Sequence, residues 1–190
     1  MATKAKQKKS AAKKVSAKQP SPSTAEQPRA MRPTVPPGYG FPTSPKGLLD
    51  WSWARERLTG SRNYVIVTVR PDGRPHAMGM HGLWHDDAFY FGSDPATRKA
   101  KNLAANPHCI VINENLDELV IVEGVAEKVD YSQLPQGLSD ASKSKYGWPL
   151  PSRSDGYVYR LVPRVVFAFP LKQIATALTK WVFEPNAPGH

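Results

Sequence analysis

Apolar residues in this chain alternate with polar ones, or cluster in short β-branched runs, more often than they recur at helical spacing. "NYVIVTVR", from Asn63, is dense in Val and Ile and predicts a strand. "PDGR" reads as a tight turn, so "PHAMGMHGLWH" is expected to return as the second arm of a hairpin. His85-Asp86-Asp87 is a second turn and "AFYFGS" a third strand. "HCIVINE", "ELVIVEGVAEKVD", "GYVYRLVPRVVFAFP" (with a Pro interruption) and "TKWVF" complete six or seven strands. Helical spacing is confined to three places. In "SPKGLLDWSWARERLTGS", Leu49, Trp53 and Leu58 suggest a short helix ending at Gly60. A second helix follows "AFYFGS" and ends near Asn106-Pro107, and a third lies in "SQLPQGLSDASKSKYGW". Strands joined by short turns, with few helices, predict a mainly β fold. The expected form is a small antiparallel barrel with helical insertions, not an alternating βαβ chain.

The first 45 residues break this pattern. Seven lysines, Arg29 and Arg32 against Glu26 give them a net charge of +8 out of the chain's +10, leaving +2 for residues 46–190. The basic balance therefore describes a tail and not a domain. Residues 1–45, rich in Lys, Ala, Ser and Pro, are expected to be disordered, and 46–190 to form one domain. The tail reads as a solubilising arm, or as a polycation making salt-sensitive contacts with nucleic acid or an anionic surface. Cys109, the one cysteine, sits in an apolar strand as a small buried residue, which suits a reducing cytoplasm. No apolar run approaches a membrane span, and the N-terminus has no apolar signal core.

Candidate chemistry narrows quickly. His76, His81 and His85 fall on a strand and its turn, where side chains alternate, so no metal site is expected. Asp86, Asp87 and Asp117 fall in turns and give no catalytic carboxylate pair. One stretch stands out: "FYFGSDPATRKAKNLAANP" crowds Arg98, Lys99 and Lys101 into a helix start, where the macrodipole disfavours cations. With Ser93 or Asp94 as cap and Pro95 in the first turn, free amides beside a guanidinium make a phosphate site; a solvated basic face is the plainer reading. Gly79 and Gly82 weaken the preceding strand unless a ligand or backbone approaches closely.

"RPDGRPH", "TRKAKNLAANP" and "VEGVAE" together resemble the split-barrel superfamily of pyridoxamine 5'-phosphate oxidase and the flavin/deazaflavin oxidoreductases, over roughly Trp53 to Phe183. The resemblance implies a six-stranded antiparallel split β-barrel. It also implies a homodimer, with coenzyme F-420 or FMN in a groove shared by two subunits. Arg98 and Lys99 would meet the cofactor's phosphate or acidic tail, with Lys101 and Asn102 close by. His76, Ala77, Met78, Gly79 and Met80 would lie along the ring system through backbone groups, and Thr68 is a further candidate. Pyridoxamine oxidases carry an arginine at the position of Met78 and a glutamine at that of Leu119, and their C-terminal substrate segment is not apparent in this chain. Oxidation of pyridoxamine phosphate itself is therefore not expected. The "RKAKNLAANP" texture is closer to the F-420 branch.

Hydride chemistry would belong to the cofactor, so no catalytic side chain is named. Trp84 and Trp181 fit core packing better than ring stacking. The leading expectation is a cytoplasmic oxidoreductase acting on a small unsaturated or oxidised substrate. The alternatives are a carrier or sensor without turnover, or a nucleic-acid-associated protein working through its tail.

Overall fold

The computed structural model describes residues 27–150 and 156–184; most of the expected tail, residues 1–26, lies outside them. The strands are β1 (Arg29–Met31), β2 (Tyr64–Val69), β3 (Pro75–Met80), β4 (Leu83–His85), β5 (Ala88–Ser93), β6 (His108–Asn113), β7 (Glu118–Val129), β8 (Tyr157–Pro170) and β9 (Thr179–Val182). The helices are α1 (Trp51–Gly60), α2 (Arg98–Ala105), α3 (Leu138–Tyr146) and the single turn α4 (Ile174–Ala177).

All strand pairings are antiparallel and belong to one sheet, with a path β1-β9-β8-β7-β6-β2-β3 and β4-β5 joined to it at β8. β8 is the branch point. Along one edge it pairs with β7; along the other its first half pairs with β5 and its second half with β9. β3 and β4 do not pair with each other, so hydrogen bonds do not close the sheet. The covalent bend between Met80 and Leu83 carries the chain from β2's neighbour to β5's.

That bend corrects the single return arm expected from "PHAMGMHGLWH". Gly82 explains it: a Cβ there would stand 2.2 Å from Phe89 Cζ and 3.0 Å from the Tyr90 carbonyl oxygen. Its amide and carbonyl are both taken by the Tyr146 hydroxyl, at 3.1 and 2.8 Å, so the strand cannot continue straight along β2. Pro163 does not interrupt β8. The register shifts between Glu123 and Gly124, opposite Pro163 and Val165, and this bulge absorbs the missing amide. Gly124 is required there, since a Cβ would lie 2.2 Å from the Val162 carbonyl oxygen.

Residues 27–45, part of the stretch read as a tail, contain a short strand. β1 pairs with β9, and Arg32 donates to the carbonyls of Ser44, Lys46 and Leu178 at 3.0, 2.5 and 2.9 Å. In α1 the buried face is Trp51, Ala54 and Leu58, while Leu49 and Trp53 pack only partly against the core. Asp50 sets this phase by capping the helix through the Ser52 amide at 2.8 Å.

The main core fills the space inside the sheet. It includes Trp51, Leu58, Tyr64, Ile66, Phe89, Phe91, Val111, Val122, Leu161 and Trp181. Trp84 and Trp181 are both core residues, each beside Trp51 with centroids 5.8 and 5.3 Å away. Cys109 is buried as expected, and burial pushes its thiol up to about 12, which makes it a poor nucleophile. A second cluster of Leu83, Tyr90, Leu138, Tyr146 and Val158 fastens α3 beside the bend. Among the described residues no helix is long and apolar enough to cross a membrane.

Candidate functional site

The basic helix start lies at the end of β5. Thr97 caps α2, accepting from the Ala100 amide at 3.3 Å, so the expected caps Ser93 and Asp94 are displaced. Ser93 is held in β5 opposite Tyr157, with its hydroxyl 2.7 Å from Thr97 Oγ1. Asp94 instead caps the intervening turn through the Ala96 amide at 2.6 Å. Pro95 falls before the helix. The helix begins at Arg98, and its first amides have no acceptor within the helix.

The three cations are then sorted by the helix's geometry. Arg98 and Lys101 are exposed, three residues apart on the outer face. Lys99 is partly buried, its Nζ 5.8 Å from the centre of the Phe91 ring. Burial holds its ammonium below the ordinary lysine range. Among the described residues no carboxylate forms an ion pair with Lys99, Arg98 or Lys101.

Lys99 opens into a cleft of about 400 Å³ between the Gly79–Leu83 bend, the end of β5, the start of α2 and the end of α3. Gly79 and Met80 line it directly. β3 forms a sheet edge, with Ala77, Met78 and Gly79 exposed and His76 and Met80 partly so. A Cβ at Gly79 would meet no atom within 4 Å, so this glycine leaves open surface, unlike Gly82.

Thr68 and Asn102 come together but not at the surface. Both are fully buried, and the Asn102 amide donates to Thr68 Oγ1 at 2.9 Å, fastening α2 to β2. Among the described residues, the side-chain Oδ1 of Asn102 and Nδ1 of His76 are buried without a partner. The first group of expected site residues therefore divides into a cation cluster, an open strand and a buried support.

The far wall of the cleft was not anticipated. His81, Tyr146 and Trp148 stand together, with centroids 4.9 to 5.5 Å apart; Tyr146 and Trp148 are stacked at 22° and His81 is edge-on to both. Trp148 follows Gly147, which ends α3 in a left-handed cap. A tryptophan just past a helix stop was the available signal, because no core position is defined there.

Behind that wall, Lys145 donates to the Tyr64 hydroxyl at 2.9 Å and to the Thr59 carbonyl at 3.0 Å. Burial, helped by Arg62, lowers its ammonium to about 8. A base whose folded pKa is depressed costs stability while charged, and that cost is relieved as pH rises from the folded to the unfolded value. Between about pH 8 and the ordinary lysine value of 10.5 the protein should therefore gain stability relative to a Lys145→Met variant. Urea unfolding of both proteins across that window checks this; a constant difference would refute it.

Comparisons with known proteins agree with this architecture. The family model for pyridoxamine 5'-phosphate oxidase matches residues 53–176. The chain belongs to the pyridoxamine 5'-phosphate oxidase family. The match runs from α1 to α4 and contains the cation cluster, β3 and the aromatic wall. A pyridoxine/pyridoxamine 5'-phosphate oxidase of Bacteroides thetaiotaomicron is 28% identical over 158 residues, covering 78% of this chain and 72% of that one. General Stress Protein 26 of Bacillus anthracis shares the fold at a TM-score of 0.51 and 25% identity, over 62% of this chain and 91% of that one. An FAD-binding protein of Mesorhizobium loti shares it at 0.50 and 18%, over 71% and 96%. Within this pyridoxamine 5'-phosphate oxidase-family sheet, Met78 stands 50% exposed on the open edge and Leu119 partly buried in β7.

Proposed function

We propose that the protein is an oxidoreductase that transfers a hydride between a flavin-type cofactor, coenzyme F-420 or FMN, and a small unsaturated or oxidised organic substrate. The observation that carries this reading is Lys99: a partly buried ammonium, held low by burial, without an ion-pair partner among the described residues, and facing a cleft. A buried cation without a counter-ion is costly, and a bound anion relieves the cost. Lys99 and the first amides of α2 would hold the cofactor's phosphate. The open edge of β3, His76 to Met80, would run along its ring system. Asn102 and Thr68 would hold α2 in place rather than touch the ligand.

Bound in this way, the cofactor supplies the hydride chemistry, while the chain binds it, orients it and excludes water. Arg98 and Lys101, on the outer face beyond Lys99, favour F-420, whose acidic tail extends past the phosphate. The exposed Met78 edge is where a second copy of the chain would complete the groove.

Titration of cofactor-free protein with FMN and, separately, with F-420, followed by fluorescence, tests the proposal. Tighter binding of F-420, lost steeply with salt, is the expected result. Binding of FMN alone would reassign the outer cations to solvent, and binding of neither would overturn the reading.

A further inference from the structure

We propose that the rings of His81, Tyr146 and Trp148 form a stacking shelf for the electron acceptor, a flat conjugated molecule with a carbonyl-type oxygen at its edge. The word acceptor rests on the oxidoreductase reading; the binding itself does not. Three observations carry it. First, Trp148 is 50% exposed and absent from both core clusters, so packing does not account for its position. It lines the same cleft as Lys99. Second, the shelf is built: Tyr146 is buried, with its hydroxyl fixed by the carbonyls of Arg62 and Gly82, each at 2.8 Å. Its ring is stacked with that of Trp148, the planes 22° apart. Third, His81 is exposed and forms no hydrogen bond among the described residues, which leaves its imidazole free to donate to an oxygen on the ligand's edge.

Placement adds to this. His81 directly follows Met80, the last residue of the strand proposed to carry the cofactor ring, and lines the cleft with it. Lys99 and Trp148 line the same cleft, which so offers a cation to an anionic ligand and a ring to an uncharged plane.

Calorimetric titration of the full chain with chromone tests the shelf, with tetrahydropyran-4-one as a probe that keeps the carbonyl and lacks the aromatic plane. Chromone should bind at least about tenfold more tightly than tetrahydropyran-4-one, and Trp148→Leu should weaken it by about tenfold, the scale of a well-formed ring contact. Trp148→Phe should recover most of the loss. Trp148 lies outside the core, so these variants should keep the wild-type unfolding midpoint. The Arg98→Ala, Lys99→Ala variant should bind chromone as the wild type does. Chromone binding unchanged by Trp148→Leu, or no binding to the wild type, overturns the shelf. Loss of chromone binding in the cation variant overturns the separation of acceptor from cofactor. If FMN and F-420 both fail to bind while chromone still depends on Trp148, the cofactor reading falls and the stacking site stands.

Discussion

Alanine at both Arg98 and Lys99 is expected to weaken cofactor binding by more than a hundredfold. Charge-assisted hydrogen bonds contribute on the order of 1.5–3 kcal/mol each, and two of them suffice for that loss. The two side chains should not share it equally. Lys99 is partly buried and faces the cleft, whereas Arg98 is exposed and screened by solvent. Lys99→Ala alone should account for most of the effect, and Arg98→Ala should act mainly at low salt. Neither residue forms an ion pair among the described residues, so the double variant should fold normally, as circular dichroism would report. Fluorescence titration of the three variants settles the assignment. Affinity equal to wild type in the double variant would reject the phosphate site.

Gly82→Ala should destabilise the fold by on the order of 3 kcal/mol, combining overpacking with loosened polar contacts. The new methyl would meet Phe89, which is fully buried and stands edge-on to Tyr64 at 4.6 Å. Neither ring has room to retreat. Moving the backbone instead would pull the Gly82 amide and carbonyl away from the Tyr146 hydroxyl. Gly79→Ala, three residues earlier, is the control: open space surrounds that position, and its unfolding free energy should stay within about 0.5 kcal/mol of wild type. Denaturant unfolding of both variants is the measurement. A wild-type midpoint for Gly82→Ala would mean that the bend is not held by this contact.

The contrast between these glycines shows what the sequence carried and what it did not. β2, β6 and β7 were legible because each buries one face, so burial follows the alternation of their residues. The break between β3 and β4 was not, since its cause is a hydroxyl on α3, remote along the chain. β1 escaped notice because three residues are too short for a pattern, and its partner β9 lies at the other end of the chain. The cap of α2 was expected at Ser93 or Asp94, but Ser93 is paired with Tyr157 and Asp94 caps the preceding turn, which leaves the cap to Thr97. At the site, the cation cluster showed itself as a local electrostatic oddity. Thr68 and Asn102 could be named as candidates, but only packing reveals that they support the site from within. The aromatic wall joins His81 to Tyr146 and Trp148 across the fold, and no spacing in the sequence announces that meeting.

β8, as the branch point of the sheet, also sets a timetable for biosynthesis. β2, β3 and β6 can pair as soon as they are made, but the outer edges of β5 and β7 both wait for Tyr157–Pro170. Until that strand leaves the ribosome, one backbone edge of β5 and one of β7 have no strand to pair with, and the core around Phe89, Phe91, Val120 and Val122 lacks Leu161 and Val166. From the completion of β7 at Val129 until Pro170 has been added, the nascent chain therefore carries two strand edges open, and this is the interval in which a chaperone or an aggregating neighbour would find it.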